Sequence, residues 1–187
     1  MKRRAIFLDR DGVINVNRPD HVKTWHEFEF LPHALAAIRK LAASDFLIIV
    51  TTNQAAIARG LTTEAAVRDI HAQMIAEIER TGGRIDAVYF CPHHPDDKCA
   101  CRKPQPGLYR QAAERFGIDL ARSFVVGDAF ADIAAALAIG ARPVLVLTGR
   151  GHEARAQLAA HNHNGHEIVN DLWHAVAWIW REEGIAA

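Results

Sequence analysis

Two aspartates, Asp9 and Asp11, stand two residues apart directly after a short apolar segment, and Gly12 follows them. One carboxylate at this spacing can attack phosphorus as a nucleophile, while the other moves protons on the leaving oxygen and the incoming water. Glycine readily adopts the backbone conformations of a tight turn, so the chain can return over the two acids. The group indicates chemistry on a phosphate ester, although such a pair after a strand can also be a simple loop cap.

Further polar residues follow other apolar segments of the chain. Thr52 offers a hydroxyl, Asn53 an amide and Lys103 a fixed positive charge for the oxygens of a transferred phosphoryl group. Because two carboxylates that face a phosphate would repel it, a hard cation such as Mg²⁺ must lie between them. Asp128 is the third acid for this cation, and Asp132 either orients Asp128 or ligates through water. This set predicts magnesium-dependent phosphoryl transfer.

The cysteines are concentrated in one loop, residues 91–103. Three thiolates and an imidazole, the ligand set of a tetrahedral Zn²⁺ ion, are offered by Cys91, Cys99 and Cys101 together with His93 or His94. Since protein atoms would fill all four positions, the zinc is predicted to be structural and to fix the loop that carries Lys103. His94 can replace His93 as the fourth ligand, and three reduced cysteines without metal are the alternative.

Short apolar segments alternate with longer amphipathic ones along the chain. The apolar segments lack polar alternation, which is typical of strands buried on both faces of a parallel sheet, and they cover residues 5–8, 46–50, 87–90, 124–126 and 144–147. Apolar residues at helical spacing predict helices over residues 32–43, from 62–64 to the glycines at 82 and 83, over 107–116, over 131–139 and over 172–180.

This alternation predicts an α/β fold, a three-layer αβα sandwich with a doubly wound, mainly parallel, Rossmann-like sheet. Ligands of such sheets bind at the carboxyl ends of the strands, where the acids, the threonine and the lysine stand. Only about 40 residues separate Asp11 from Thr52, and the helix over 32–43 uses many of them, so we expect no cap domain. The chain is interpreted as one domain, 1–187, with a zinc-binding loop at 91–103.

The 187 residues include 22 Lys+Arg and 22 Asp+Glu. The chain therefore has no excess positive charge that would favour binding to nucleic acid or to an acidic membrane. No apolar segment approaches the roughly 18 residues that a membrane span needs, and the first one ends too soon for a signal peptide. We therefore expect a cytoplasmic protein that binds a small phosphorylated metabolite, with no nucleic acid and no membrane. We expect a monomer, because the apolar segment 172–180 is predicted to pack intramolecularly rather than against a second copy.

Four ordered segments of the chain resemble the motifs of the haloacid dehalogenase superfamily: Asp-Arg-Asp-Gly-Val-Ile-Asn, Thr-Asn-Gln, Cys-Arg-Lys-Pro and Val-Gly-Asp-Ala-Phe-Ala-Asp. The resemblance implies that Asp9 is the nucleophile, through an aspartyl-phosphate, and that Asp11 is the general acid/base. It also implies that Thr52 and Lys103 stabilise the phosphoryl group. Mg²⁺ would be held by Asp9, the backbone carbonyl of Asp11, and Asp128.

Zinc loops of this type occur in two branches of that superfamily, which act on D-glycero-D-manno-heptose 1,7-bisphosphate or on histidinol phosphate. Because the resembled enzymes use the Cys-x-His position, the resemblance implies that His93 is the fourth zinc ligand, with Cys91, Cys99 and Cys101. A bisphosphate needs a second cationic anchor, whereas histidinol phosphate carries an ammonium that needs a carboxylate. Arg102 adjoins Lys103 in an extended loop, so one side chain can reach the reacting phosphate and the other the distal group. Arg18 and Arg59 lie in two other loops of the predicted site and are further substrate-binding candidates, together with Asn53.

The likeness to the heptose branch includes residues 57–60 but has departures at three places. Ala55-Ala56 stands where those enzymes have Ser-Gly, Ala129 stands where they often have Lys, and residues 17–22 differ. We expect removal of the C7 phosphate. Histidinol phosphate, another small sugar phosphate, and a non-catalytic zinc-stabilised binding module are the alternatives, and Arg18 and Arg59 can equally be solvated.

Overall fold

The computed structural model describes residues 2–161 and 165–185. The strands of this part of the chain are β1 (Ala5–Leu8), β2 (Leu47–Asn53), β3 (Ala87–Cys91), β4 (Phe124–Gly127), β5 (Arg142–Val146) and β6 (Glu167–Val169). The helices are α1 (Ala34–Ala42), α2 (Glu64–Arg80), α3 (Gly107–Phe116), α4 (Phe130–Ala138), α5 (Gly151–Ala160) and α6 (Leu172–Glu182). All the strands pair in parallel, in the order β3-β2-β1-β4-β5-β6.

Helices cover both faces of the sheet. Ile6 and Leu8 of β1 face the layer that contains α1, α2 and α6, whereas Ala5 and Phe7 face α3 and α4. Helix α5 packs beside α4 and covers Leu145 of β5. Because successive side chains of a strand point to opposite faces, a strand that is covered on both sides has no polar alternation. The three-layer αβα sandwich with a doubly wound parallel sheet is confirmed.

The predicted strands and helices are present, with shifted ends, and two elements are new. Strand β2 runs on to Asn53 because Thr51 and Thr52 stay buried and continue the pairing with β3. Sequence periodicity predicts neither α5, whose buried residues are limited to Gly151, Ala154 and Leu158, nor the three-residue strand β6. Both elements bury too few apolar side chains to show a clear period.

The tryptophan-rich segment at the end of the chain forms α6, which packs on the core. Leu172, Val176 and Ile179 are buried, and Trp178 stands edge-on to Phe124 with 6.0 Å between ring centroids. The helix therefore packs intramolecularly, as the sequence predicts. Among the described residues, no helix is both long and apolar enough to cross a bilayer.

Three loops project beyond the carboxyl edge of the sheet. Residues 9–33 follow β1, residues 54–63 follow β2, and residues 92–106 follow β3. Across the described ranges the first and third of these loops hold short 3₁₀ turns, Trp25–Glu27 and Pro95–Asp97, and none of the three builds a separate domain. The absence of a cap domain is confirmed for this part of the chain, and the carboxyl edge stays open.

Candidate active site

Adjacent strands β1 and β4 bring two acidic side chains together. Leu8 pairs with Val126, and the amide of Asp9 donates to the carbonyl of Val126 at 2.9 Å. Asp9 and Asp128 therefore leave the sheet side by side, at the point where the strand order reverses. Carboxylate oxygens of Asp9, Asp128 and Asp132 lie within 4.8 Å of one another.

A buried lysine lies among these acids. The Nζ of Lys103 lies 2.9 Å from Asp9 Oδ1 and 2.6 Å from Asp132 Oδ1, and it donates to the carbonyl of Thr51 at 2.7 Å. Burial would lower the pKa of Lys103, but Asp132 and Asp9 outweigh it and raise the pKa, so the ammonium keeps its charge. Asp132, whose part the sequence leaves open, pairs with this ammonium and also accepts from the amide of Ala129.

The one positive charge of Lys103 does not balance the three carboxylates around it, Asp9, Asp128 and Asp132. Burial, with Asp132 and Asp11, raises the pKa of Asp9 to about 6 against the pull of Lys103. Burial, with Asp9 and Asp132, raises the pKa of Asp128 to about 8. Raised values mean that the ionised forms are disfavoured here, and a divalent cation between Asp9 and Asp128 would reverse that. The oxygen donors therefore fit Mg²⁺.

Two glycines let the backbone close over Asp128. A Cβ at Gly12, where φ is +87°, would lie 1.9 Å from Asp128 Oδ2, and one at Gly149, where φ is +55°, would lie 2.1 Å from it. The amide of Arg150 donates to the same oxygen at 2.8 Å, and Thr148 Oγ1 donates to the carbonyl of Gly12 at 2.6 Å. Sequence reasoning misses this loop, although Thr-Gly-Arg-Gly directly after the fifth apolar segment was an available signal.

Three side chains hold Asp11. Arg10 Nη2 donates to both carboxylate oxygens at 2.9 and 2.8 Å, Asn15 donates to Oδ1 at 2.9 Å, and Gln54 donates to Oδ2 at 2.8 Å. Burial alone would raise the pKa of Asp11, but the charge of Arg10 and these hydrogen bonds lower it. The amide of Gln54 also donates to Thr52 Oγ1 at 2.9 Å. The second aspartate is thereby coupled to the threonine hydroxyl.

The four predicted metal ligands of the loop after β3 converge. Their Sγ atoms lie 3.3 to 3.5 Å apart, the Nδ1 atom of His93 lies 3.2 Å from the nearest Sγ, and the residues are Cys91, His93, Cys99 and Cys101. Sulfur ligands of a tetrahedral zinc at about 2.3 Å are about 3.8 Å apart, so the cluster fits such an ion. His94 instead accepts from the amide of Asp96 and caps the turn Pro95–Asp97.

Asn53 fastens the cysteine loop to the sheet. Its Nδ2 donates to the carbonyl of Lys103, and the amide of Lys103 donates to its Oδ1, both at 3.1 Å. This pair of hydrogen bonds fixes the position of the Lys103 backbone relative to the end of β2. Asn53 also lines the cleft, and its predicted contact with substrate stays a prediction.

A cleft of about 290 Å³ opens above these groups. The side chains predicted to be catalytic or to bind magnesium line it: Asp9, Asp11, Thr52, Lys103 and Asp128. Arg18, Arg59 and Arg102 lie around the same cleft, and Arg18 also pairs with Asp20 at 3.2 Å. His21 and Arg150 line it as well, and sequence reasoning assigns neither to the site.

Comparisons with known proteins agree with this arrangement. A family model described as HAD-hydrolase-like matches residues 100–175. The D-glycero-β-D-manno-heptose-1,7-bisphosphate 7-phosphatase of Bordetella bronchiseptica is 45% identical over 82% of this chain and 86% of its own length. The enzyme of that name from Pseudomonas aeruginosa is 42% identical over 81% of this chain and 85% of its own length. The chain belongs to the D-glycero-β-D-manno-heptose-1,7-bisphosphate 7-phosphatase family.

Solved structures of this phosphatase family share the fold. The D,D-heptose 1,7-bisphosphate phosphatase of B. bronchiseptica, crystallised with magnesium and phosphate, superposes with a TM-score of 0.90 and 41% identity, covering 96% of this chain and 99% of that one. The enzyme of that name from Burkholderia thailandensis gives a TM-score of 0.73 and 36% identity, covering 95% and 98%. The chain is therefore a phosphoric monoester hydrolase, as the sequence predicts, and the binding-module alternative is set aside.

The 7-phosphatase fold also buries a histidine behind the second aspartate. His71 of α2 is 5% exposed, and its Nε2 lies 3.2 Å from Nη1 of Arg10. Burial and then the charge of Arg10 lower the pKa of His71 to about 3, against the opposing effect of Asp11. The ring is therefore neutral at physiological pH, and Nε2 accepts a hydrogen bond from Arg10.

We expect acid to destabilise this phosphatase partly through His71. Between pH values of about 3 and 6.5 the unfolded chain protonates this ring and the folded chain does not, so lowering the pH favours unfolding. At pH 5 this group should remove about 2 kcal/mol from the free energy of unfolding. Urea unfolding at neutral and acidic pH measures the loss in wild type, in His71→Gln, and in His152→Gln as a control at an exposed position. An equal pH dependence in all three proteins would contradict the assignment.

Proposed function

We propose that this phosphatase removes the C7 phosphate of D-glycero-D-manno-heptose 1,7-bisphosphate through an aspartyl-phosphate on Asp9. The observation that carries the proposal is one open cleft that holds Asp9 and Lys103 and is also lined by four arginines: Arg18, Arg59, Arg102 and Arg150. A substrate with two phosphates needs one cationic site for the reacting group and another for the distal one. The names of the relatives that cover most of the chain support the same substrate.

In the first step a carboxylate oxygen of Asp9 bonds to phosphorus while the bond between phosphorus and the C7 oxygen breaks. Asp11 gives its proton to that leaving oxygen. The negative charge of the bound phosphate raises the pKa of Asp11 against the lowering effect of Arg10, and so favours the protonated form that this step requires. Lys103 and the hydroxyl of Thr52 balance the charge on the equatorial oxygens. The products are the C7 alcohol and the phosphorylated Asp9.

In the second step a water molecule attacks the aspartyl-phosphate and passes a proton to Asp11. Inorganic phosphate leaves and the Asp9 carboxylate is restored, so the two halves together consume one water. Asp9, the backbone carbonyl of Asp11, and Asp128 would hold magnesium, which supplies the positive charge that lets carboxylates and phosphate approach. Asp132 keeps Lys103 charged and directed at Asp9.

The distal phosphate is assigned to the arginines. Lys103 points inward and is 4% exposed, whereas Arg102 is half-buried, with its Nη1 3.5 Å from the carbonyl of His93. The two neighbouring side chains thus diverge, and Arg102 stays available for a group at the other end of the substrate. Arg18 and Arg59 approach the cleft from the other two loops.

The substrate assignment predicts a selective effect of Arg102. Wild type with magnesium should release phosphate from the heptose 1,7-bisphosphate much faster than from histidinol phosphate. Arg102→Gln should raise KM for the bisphosphate about tenfold, the value of one charge-assisted contact, and leave 4-nitrophenyl phosphate unaffected. Arg122→Gln, at an exposed position away from the cleft, is the control. A preference for histidinol phosphate, or equal losses on both phosphate esters, would overturn the assignment.

We assign the ion of residues 91–103 as a structural Zn²⁺, held by Cys91, His93, Cys99 and Cys101. Three sulfurs and one nitrogen favour zinc over magnesium, which prefers oxygen. Because Cys101 lies two residues before Lys103, the ion fixes the segment that delivers the lysine. Residues 95–97 form a capped turn on the same loop. The metal cluster and this turn together account for the length of the loop.

Loss of the zinc should loosen the loop without unfolding the sheet. His93→Ala should contain less zinc by elemental analysis and should melt on the order of 10 °C below wild type, since a structural metal contributes several kcal/mol. His94→Ala, which changes the neighbouring histidine outside the cluster, should keep its zinc and melt within a few degrees of wild type. Wild type without zinc, or a full zinc content in His93→Ala, would remove this assignment.

A further inference from the structure

The residue between the two aspartates is the largest fully buried side chain of the described residues. Arg10 is 1% exposed, so its guanidinium is held by fixed protein partners and not by water. Its Nη2 donates to both oxygens of Asp11 and lies 3.2 Å from Gln54 Oε1, and its Nη1 donates to His71. A buried cation that loses one partner moves to find another, because an unsatisfied charged donor is costly.

His71 is the partner that comes from outside the catalytic loops. It lies in the middle of α2, and its ring packs edge-on to Phe90 of β3 with 5.5 Å between centroids. Two packed elements therefore fix the ring, and the ring fixes one end of the guanidinium. Arg68, whose guanidinium lies over Phe90 at 5.1 Å, adds a second positive charge beside the ring. Burial and these two positive charges keep the imidazole neutral, which is the form that can accept a hydrogen bond from Arg10.

We infer that His71 is a positioning residue for proton transfer: it holds the Arg10 guanidinium, which in turn holds the Asp11 carboxylate in line with the leaving oxygen. The inference rests on the proposed acid/base role of Asp11. The planar guanidinium bonds Asp11 through one nitrogen and His71 through the other. His71, which lies 61 residues away in the chain, therefore restrains rotation of the guanidinium plane about its contact with Asp11.

The inferred role has a chemical signature that a structural role lacks. A strongly basic leaving oxygen needs a proton in the transition state, and a weakly basic one departs without it. Misplacing Asp11 should therefore slow the release of phenol from phenyl phosphate and spare 2,4-dinitrophenyl phosphate. The ratio of kcat/KM for these two esters, measured on one sample, does not depend on how much of the sample is folded.

The experiment compares this ratio in wild type, His71→Leu, His71→Met and His71→Gln with magnesium present. Both apolar variants remove the acceptor, and two are used so that failure of one to fold leaves the other. We expect kcat/KM for phenyl phosphate to fall about tenfold in them, with the dinitrophenyl ester within about twofold of wild type, because small displacements of a proton donor cost rate. Glutamine offers an acceptor oxygen to Arg10 and should restore the ratio.

Asp11→Asn separates the two assumptions. A ratio that falls in Asp11→Asn and in the apolar His71 variants supports the inference. A ratio that falls in Asp11→Asn alone overturns the role of His71 and leaves the acid/base assignment intact. A ratio unchanged in Asp11→Asn overturns that assignment and this inference together. Equal losses on both esters in the His71 variants, or no rescue by glutamine, also overturn it.

Discussion

Replacing Asp9 with asparagine should lower kcat/KM for phosphate release by at least about 10⁴-fold, the size expected when a nucleophile is lost. The amide has the shape of the carboxylate but cannot form a stable bond to phosphorus. The ionised Asp9 lies beside two other buried acids, and burial raises its pKa to about 6. Removing its charge relieves repulsion from the neighbouring acids, and Lys103 keeps its ion pair with Asp132, so the free energy of unfolding should stay within about 1 kcal/mol of wild type.

Three measurements test this prediction. Steady-state phosphate release gives the rate, urea unfolding gives the stability, and mass spectrometry of acid-quenched enzyme detects phosphate bound to Asp9 in wild type. Asp45→Asn is the matched control, since its side chain is 76% exposed and pairs with Arg4 far from the cleft. Activity above a hundredth of wild type in Asp9→Asn, or a phosphorylated residue elsewhere, would refute the nucleophile assignment.

Lys103→Met should lower both the activity and the stability. The ammonium lies within 2.9 Å of Asp9 and Asp132, and breaking a buried pair by removing one partner costs about 3 to 5 kcal/mol. Loss of the charge that faces the equatorial oxygens should reduce kcat/KM by about 10³-fold. Methionine keeps most of the volume of the chain, so these losses report the charge and not a cavity.

Two further variants sharpen this result. Lys103→Arg should recover little activity, because Nζ also donates to the carbonyl of Thr51 and the larger guanidinium has no room in a site that is 4% exposed. Lys98→Met, at an exposed position of the same loop, is the control and should behave as wild type. A loss of activity in Lys103→Met without any loss of stability would contradict the buried ion pairs.

Local sequence determined the sheet and the edge at which the chemistry occurs. The segment Ala5–Leu8 is apolar at every position because both faces of β1 are covered. Four residues are therefore enough to predict a strand buried on both faces. Asp9 follows it directly, and the rule for parallel sheets places such residues at one edge. The sequence did not predict helix α5, because this helix buries few side chains. For the same reason it did not predict the Arg150 amide, just before α5, that donates to Asp128.

Only the tertiary structure decided which partner each polar side chain takes. Spacing along the chain allows either His93 or His94 to lie beside the three cysteines, and only the packed loop places His93 with them while His94 caps the next turn. Spacing also leaves Asp132 free to serve Asp128, whereas packing pairs it with Lys103. His71 carries no motif at all, and it lies beside Arg10 because α2 packs over β3. Periodicity records which face of an element is buried, but a hydrogen bond between distant residues depends on distances of a few tenths of an ångström, which only the packed elements define.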